Sequence, residues 1–351
     1  MGSGKTTAII KAAHQLIAGG QVVGVVTNDQ GKYLVDTAFV RVSNIPAVEV
    51  SGGCFCCHYD DLNEQLLILI RQHQPDVIFA ESVGSCADIV ATVIKPLLSL
   101  GDGRIKPDSF SVFTDGRMLL RWVEGKQLPF SEDVVYIFEK QIEEAGLLVF
   151  NKSDLMTLEG QKVIEAWVNK TYPEKPYKFQ NSLDAKSVTS WVSLLENNQS
   201  MLSLNSLDLD YVRYGHGEEQ LAWLDGRICL SGVGESGREI LKVVFNSLSE
   251  QLDDHNIGIG HLKFVIEDGV QSVKVSFTSS HQPGWEGQIP HLSGPDINLL
   301  INARVETEAE KMAGIFQSVL DKVECKFNCV FEISELEHFH PGKPNPTYQI
   351  R

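Results

Sequence analysis

An α/β half followed by a smaller α+β half is the fold class that the sequence predicts, and three observations carry it. Through residues 1–195, short β-branched runs alternate with amphipathic helical stretches, the pattern of βαβ units and a mostly parallel sheet. Beyond residue 200 the order changes to strand, helix, antiparallel strands, helix, strand. The chain also opens on Gly-Ser-Gly-Lys-Thr-Thr, set directly before a helical pattern. A length of 351 residues is enough for two such units, each burying its own core.

Taken in order, residues 8–18 place apolar side chains at helical spacing, and Gly19-Gly20 ends them. Val22–Thr27 and Val77–Ala80 read as buried parallel strands, with an amphipathic helix at Asp61–His73 between them. Phe110–Phe113 and Gly146–Phe150 continue the alternation, the second after a helix at Val134–Ala145. Residues 196–210, rich in Asn, Ser and Leu, read as a linker. In the α+β unit at 211–336, Arg227–Ser231 reads as a strand and Gly237–Leu252 as a helix. Gly260–Ile266 and Gln271–Thr278 form a hairpin around Glu267-Asp268-Gly269, and strands Ile301–Val305 and Val330–Ile333 flank a helix near Glu306–Val323. The tail 337–351 carries three prolines and is expected to be extended.

Composition narrows the function. With 30 Lys+Arg against 46 Asp+Glu, the net charge of −16 disfavours nonspecific binding to nucleic acid or anionic membranes. No apolar run approaches the roughly 18 residues of a membrane span, and the N-terminus lacks a signal peptide's apolar core, so the expected location is cytoplasmic. Seven cysteines, three of them at Cys54, Cys56 and Cys57, do not read as a disulfide framework. Cys86, Cys229, Cys325 and Cys329 read as small core residues.

The chemistry starts at Gly2-Ser3-Gly4-Lys5-Thr6-Thr7, the second half of a P-loop. Glycines let backbone N–H groups curl round phosphate oxygens, Lys5 reaches the β/γ-phosphates, and Thr6 offers its hydroxyl to Mg²⁺. The upstream glycine and the strand feeding the loop are missing, so the sequence is expected to be N-terminally truncated and weakened as a nucleotide binder. Glu81 ends the strand Val77–Ala80, and Asp29 ends Val22–Thr27, positions where Mg²⁺ or its water is held; Asp36 fits a switch sensing the γ-phosphate, and Asp115 is a further candidate. Asn151-Lys152-Ser153-Asp154 follows another strand. Asp154 can accept from guanine N1–H and the exocyclic amine, Asn151 and the Lys152 stem can frame the ring, and Ser182 can add a backbone contact.

Gly52-Gly53-Cys54-Phe55-Cys56-Cys57-His58 is the most distinctive segment. Three thiols within four residues offer soft ligands to Zn²⁺, Co²⁺ or Cu⁺, and adjacent Cys56 and Cys57 require an irregular loop to face one ion. His58, or an oxygen from elsewhere, could complete a tetrahedron; His338 and His340 form a weaker pair.

In this order, G-S-G-K-T-T, T-N-D-Q-G, G-G-C-F-C-C, E-S-V-G, F-E-K-Q-I-E-E-A-G and N-K-S-D resemble the CobW-type metallochaperone GTPases, relatives of the HypB and UreG nickel-insertion GTPases. The resemblance covers residues 1 to about 195 and implies a P-loop NTPase domain. It implies phosphate binding at Gly2, Ser3, Gly4, Lys5, Thr6 and Thr7, Mg²⁺ at Thr6, Asp29 and Glu81, and guanine at Asn151, Lys152 and Asp154. It also implies a metal cargo, Zn²⁺ or Co²⁺, at Cys54, Cys56 and Cys57, linked to the nucleotide state. The chain lacks the His-rich tract of some members, so metal storage is not expected. The expected activity is GTP hydrolysis, with Lys5, Asp29 and Glu81 as the catalytic set and slow turnover, since no arginine is placed as a finger in cis. Expected partners are a client metalloenzyme or corrinoid protein and a second copy of the chain, with no nucleic acid and no membrane. The alternatives are a non-enzymatic metal-binding adaptor with an impaired nucleotide site and a small-molecule kinase, against which N-K-S-D argues.

Overall fold

The computed structural model describes residues 2–31, 35–101, 103–197, 201–233, 236–280, 284–292 and 294–351; part of the expected linker, 198–200, lies outside them. Strand β1 (Val23–Asn28) is buried along its whole length and pairs in parallel with β2 (Ala47–Val50) and β3 (Val77–Glu81). Strand β4 (Ser111–Asp115) pairs with β5 (Leu147–Asn151), which pairs with β6 (Tyr177–Phe179), again in parallel. Among the described residues β3 and β4 share no ladder, so the strands form two sheets, β2-β1-β3 and β4-β5-β6, where the sequence predicts one. Strand β3 shows the consequence. The sequence reads it as buried, yet Val77–Phe79 are half-buried and Ala80 is exposed, because β3 lies at a sheet edge.

The two sheets still share one core. Helix α1 (Lys5–Ala18) carries Ala8, Ala12 and Leu16 on one stripe, and this face packs with Val23 and Val25 of β1 as well as Phe113, Leu147 and Val149 of the other sheet. On α8 (Ala185–Asn197), Trp191 lies edge-on to Phe113 with ring centroids 5.1 Å apart, and 6.0 Å from Phe79 of β3. Aromatic packing joins what hydrogen bonds do not. Between the strands lie α2 (Val35–Val42), α3 (Tyr59–His73), a π-helical turn at Val90–Ile94 continuing into α4 (Lys95–Leu100), α5 (Gly116–Val123), α6 (Glu132–Glu144) and α7 (Leu158–Thr171). The segment read as a linker is pinned, with Met201, Leu207 and Leu209 buried and Met201 O accepting from Phe110 N–H at 2.9 Å.

Helix α9 (Tyr211–Glu219) is absent from the sequence reading because Gly215 and Gly217 lower helix propensity. Packing explains Gly217: a Cβ there would lie 2.6 Å from Asp133 O on α6. Asp210 caps the helix, accepting from the N–H groups of Val212 and Arg213.

The C-terminal elements follow the predicted order. An antiparallel sheet, β11-β7-β10-β8-β9, is built from β7 (Leu221–Ser231), β8 (Ile259–Glu267), β9 (Ser272–Phe277), β10 (Asp296–Glu306) and β11 (Val330–Phe339). Helices α10 (Gly237–Asp254) and α11 (Ala309–Phe327) cover one face. Strands β7 and β10 are longer than the sequence suggests, and β11 runs to Phe339, so the extended tail begins at His340 rather than at 337. The reason is pairing: His338 and Phe339 lie opposite Leu224 and Trp223, and the Phe339 and Trp223 rings stack at an interplanar angle of 7°.

Side chains alternate across this sheet. Leu224, Ile228, Leu262, Phe264, Leu299 and Ile301 join the helices' core. The intervening positions put Asp225, His261, Lys263, Lys274, Asn302 and Arg304 on the opposite face, toward the N-terminal half. Arg304 is fully buried; its guanidinium donates to Glu218 at 2.6 Å and lies 5.1 Å from the Trp223 ring centre. Its Nε and Nη1 have no other partner. Glu218→Ala should therefore cost about 3–5 kcal/mol in urea unfolding, because it strands a buried charge. A loss below about 1 kcal/mol would mean that water reaches the guanidinium.

Candidate functional site

The glycines of the phosphate-type loop are imposed by its backbone. Gly4 starts α1 in the left-handed region (φ 85°), and a Cβ there would lie 2.5 Å from Asn151 Nδ2. Asn151 Nδ2 donates to Ser3 O at 2.6 Å, while its Oδ1 accepts from Ser182 N–H at 3.0 Å and Ser182 Oγ at 2.8 Å. The sequence reading aims Asn151 at a base; here it ties the loop to Ser182. Lys152 (φ 58°) places Nζ 3.1 Å from Asp115, which also binds Arg117 and caps α5. Burial opposes ionisation of Asp115, but Arg117 and Lys152 outweigh it and hold the carboxyl below its ordinary range. Asp154 is exposed on a single 3₁₀ turn, Ser153–Leu155.

Next to the loop lies a buried carboxylate cluster. Thr6 Oγ1 is 3.1 Å from Asp36 Oδ1 and 3.0 Å from Glu81 Oε1, and its one proton serves a single acceptor at a time. Lys5 Nζ stands 3.9 Å from Glu81. Burial, then Asp36, pushes the Glu81 pKa up. Glu81 Oε2 and Ser3 Oγ are buried without a partner. Hard oxygens from Thr6, Asp36 and Glu81, with one oxygen left orphaned, are a donor set that fits Mg²⁺.

Asp29 is placed differently from its expected position on this cluster. Its Oδ1 accepts from Gln30 N–H at 2.9 Å, and burial, then Asp225, pushes its pKa well up. Asp36 is the carboxylate that meets Thr6, and it is gripped from the C-terminal sheet by Lys263 Nζ at 2.6 Å and Lys274 Nζ at 2.5 Å. Burial works against the Asp36 charge, but the two lysines outweigh it and hold the carboxyl well below its usual value. Sequence reasoning missed both lysines, which lie 227 and 238 residues away from Asp36. The one available signal was alternation, which puts them on the sheet face opposite Phe264 and Val275.

The thiols stand at the same edge. Asn28, which ends β1, donates from Nδ2 to Val50 O at 3.0 Å and Gly53 O at 2.7 Å, and its Oδ1 accepts from Phe55 N–H at 3.0 Å. The loop it holds is irregular, as adjacent cysteines require, with Cys57 and His58 N–H both donating to Cys54 O at 3.0 Å. Cys54 Sγ lies 2.8 Å from Cys56 Sγ and 3.2 Å from Cys57 Sγ, with 3.8 Å between the last two. Among the described residues these three form the group of metal-type ligands mutually within 4.8 Å. Around a tetrahedral zinc with bonds of about 2.3 Å, sulfurs sit about 3.8 Å apart, so only a small opening is required.

The neighbouring thiols, Cys56 first, drive the Cys54 pKa far down, while Cys56 is pushed well up and Cys57 up to about 11. A soft cation bound among these thiols would displace their protons. Cys86, read from sequence as core, is buried and its thiol interacts with Cys54 and Cys56. His58 turns away to Asp61, 3.0 Å from Nδ1 to Oδ2. His340 is engaged by Glu219 O and Ala309 N–H.

The tail crosses this loop. Asn345 N–H donates to Cys57 Sγ at 3.3 Å, Thr347 N–H to Cys56 O and Thr347 Oγ1 to Cys57 O, both at 2.9 Å. Tyr348 lies edge-on to Tyr59, with ring centres 5.1 Å apart.

A glycine-bent loop opening a helix, a lysine and threonine beside buried carboxylates, and a cluster of three thiols at the same strand ends define a P-loop nucleotide-binding protein that carries a metal-type cysteine cluster. The sequence profile of the CobW/HypB/UreG nucleotide-binding domain matches residues 1–179, and the chain belongs to that family of P-loop GTPases. It is 27% identical over 203 residues to the zinc chaperone CobW of Sinorhizobium sp, covering 50% of this chain and 55% of the relative. It is 30% identical over 176 residues to the zinc chaperone YeiR of Escherichia coli K12, covering 48% of each. The chain thus spans about half the length of the curated relatives it matches. HypB from Helicobacter pylori in complex with nickel aligns over 58% of this chain and 86% of its own, with a TM-score of 0.42 and 17% identity. No described helix is long and apolar enough to cross a membrane.

Two outcomes follow from the site's surroundings. Asp225 is buried against Gly31, with Oδ1 accepting from Asn302 at 2.6 Å and Oδ2 unpartnered; burial raises its pKa to about 7 against the pull of Asn302 and Lys263, with Glu337 adding to the rise. Its folded pKa exceeds its unfolded one, so its contribution to stability is present near pH 4 and lost as pH rises through about 7. Asp225→Asn should raise Tm by a few degrees at pH 8 and leave it unchanged at pH 4; an equal change at both would remove Asp225 as the titrating group. For the tail, removing residues 341–351 should speed labelling of Cys57 by an aromatic disulfide at least several-fold. An unchanged rate would show that the tail does not shield the thiol.

Proposed function

We propose that this chain is a Mg²⁺-dependent GTPase that binds a transition metal at Cys54, Cys56 and Cys57 and passes it to a client protein in step with its nucleotide state. The observation that carries the reading is Asn28: two of its hydrogen bonds, to Gly53 O and from Phe55 N–H, join the end of β1, next to Asp29, to the loop that bears the thiols. A rearrangement at the strand end therefore reaches the sulfurs directly. Two relatives named as zinc chaperones make Zn²⁺ the first cargo to test, ahead of Co²⁺.

Gly2, Ser3, Gly4, Lys5, Thr6 and Thr7 hold the phosphates in this reading, with Lys5 at the β/γ positions. Asp154 reads guanine, Lys152 flanks the base, and Asn151 and Ser182 fix the loop beside it. Thr6, Asp36 and Glu81 would hold Mg²⁺, with Asp29 orienting water from the next position; bound there, Mg²⁺ supplies charge neutralisation to the phosphates. Lys5 stabilises the charge that develops on the leaving phosphate, and Glu81 and Asp29 hold the attacking water. The client is a metalloenzyme or corrinoid protein in the cytoplasm, with self-association as a further partner.

One observation favours the adaptor alternative. A Cβ on Gly2 would lie 2.2 Å from Thr278 Cγ2 and 2.9 Å from Gly260 O, so the C-terminal sheet crowds the loop. A single titration separates the readings. Zn²⁺ affinity, measured against a chromophoric chelator, should differ about 5- to 150-fold between the GTP and GDP states. Cys54→Ser should weaken Zn²⁺ and spare GTP binding in metal-free protein. Equal affinities in both states would leave an adaptor.

A further inference from the structure

Two buried ammonium groups of the C-terminal sheet share one hydrogen-bonding carboxylate, Asp36. Lys263 and Lys274 stand on adjacent strands, paired as Lys263–Ser276 and Val265–Lys274, so they are diagonal neighbours on one sheet face. Like charges at that spacing repel unless an anion sits between them. Asp36 is the carboxylate that hydrogen-bonds both, with Asp29 and Glu81 acting on Lys263 from further off, and both lysine side chains are at least 87% buried. The oxygen that Lys274 reaches, Asp36 Oδ1, is also the one 3.1 Å from the Thr6 hydroxyl. The lysines therefore stand one carboxylate away from the magnesium-type hydroxyl. The sheet lies over the loop itself, with Thr278 and Gly260 against Gly2.

We propose that Lys263 and Lys274 are ligands for the γ-phosphate of a nucleoside triphosphate, held by Asp36 while no triphosphate is bound. This rests on the GTPase reading and extends the nucleotide site into the C-terminal sheet. A terminal phosphate offers charged oxygens to both ammonium groups in place of the one carboxylate they share, and each contact is a charge-assisted hydrogen bond. Asp36, released from the lysines, is then free to join Thr6 and Glu81. A diphosphate has no group at that position, so the lysines stay on Asp36. The C-terminal sheet thereby distinguishes triphosphate from diphosphate, and supplies in cis a cationic contact to the terminal phosphate.

The test is the affinity of the full chain for fluorescent GTP and GDP analogues with Mg²⁺. Lys263→Met with Lys274→Met should weaken GTP about 10- to 100-fold and leave GDP within about twofold, and Lys274→Arg should restore most of the loss. Asp36→Asn, measured without Mg²⁺, frees the lysines and should tighten GTP but not GDP. Equal losses for GTP and GDP, or no loss for either, overturn the proposal. If the methionine variants do not fold, Asp36→Asn decides alone, and unchanged Mg²⁺-free GTP affinity overturns it. Wild-type protein that binds neither nucleotide overturns the GTPase reading as well; wild-type affinity unaffected by these substitutions removes the lysines alone.

Discussion

The buried carboxylate of Asp36 is the interaction on which the rest of this structure turns. It meets the Thr6 hydroxyl from one side and two lysines of the C-terminal sheet from the other. A charge so far from water survives because cations surround it, and those cations come from strands more than 200 residues away in sequence. The phosphate-type loop, the helix after β1 and the C-terminal sheet are thus fastened at one atom group. Asp29 and Asp225 lie beside it with raised pKa values, so the interface has accumulated acid as well as base. Polar groups from both halves cluster there, and Asp36 itself is held by partners from the C-terminal one.

Another fastening runs from this cluster to the thiols. Asn28 uses both ends of its amide on the Cys54–Cys57 loop, and the tail covers the same loop from outside through Asn345 and Thr347. Two stretches distant in sequence therefore converge on the loop of three sulfurs. Cys86 adds a fourth thiol from the turn after Glu81, the segment that also contributes a carboxylate beside Thr6. Metal-type and nucleotide-type groups are joined here by backbone and short side chains.

The glycines follow the same logic. Gly4 is needed where the loop passes Asn151, and Gly217 where α9 presses on α6. Gly4 is legible in the sequence because it sits in a recognisable run of residues. Gly217 reads there as a helix breaker, since its reason lies in a neighbour 84 positions earlier, at Asp133.

By itself the sequence determined the elements whose information is local. The α/β alternation, the strand–helix order of the C-terminal half, the loop from Gly2 to Thr7 and the need for an irregular thiol loop all follow from residue spacing. Tertiary structure decided what spacing cannot encode. It left the parallel strands as two sheets joined by Trp191, because β3 and β4 share no hydrogen bonds while their aromatic residues still pack together. It put Asp36 rather than Asp29 on Thr6, gave Asn151 to the loop, and brought Lys263 and Lys274 to the site. A buried charge is stabilised by whatever folding places within about 3 Å of it, and proximity across a packed interface leaves no periodic trace in the chain.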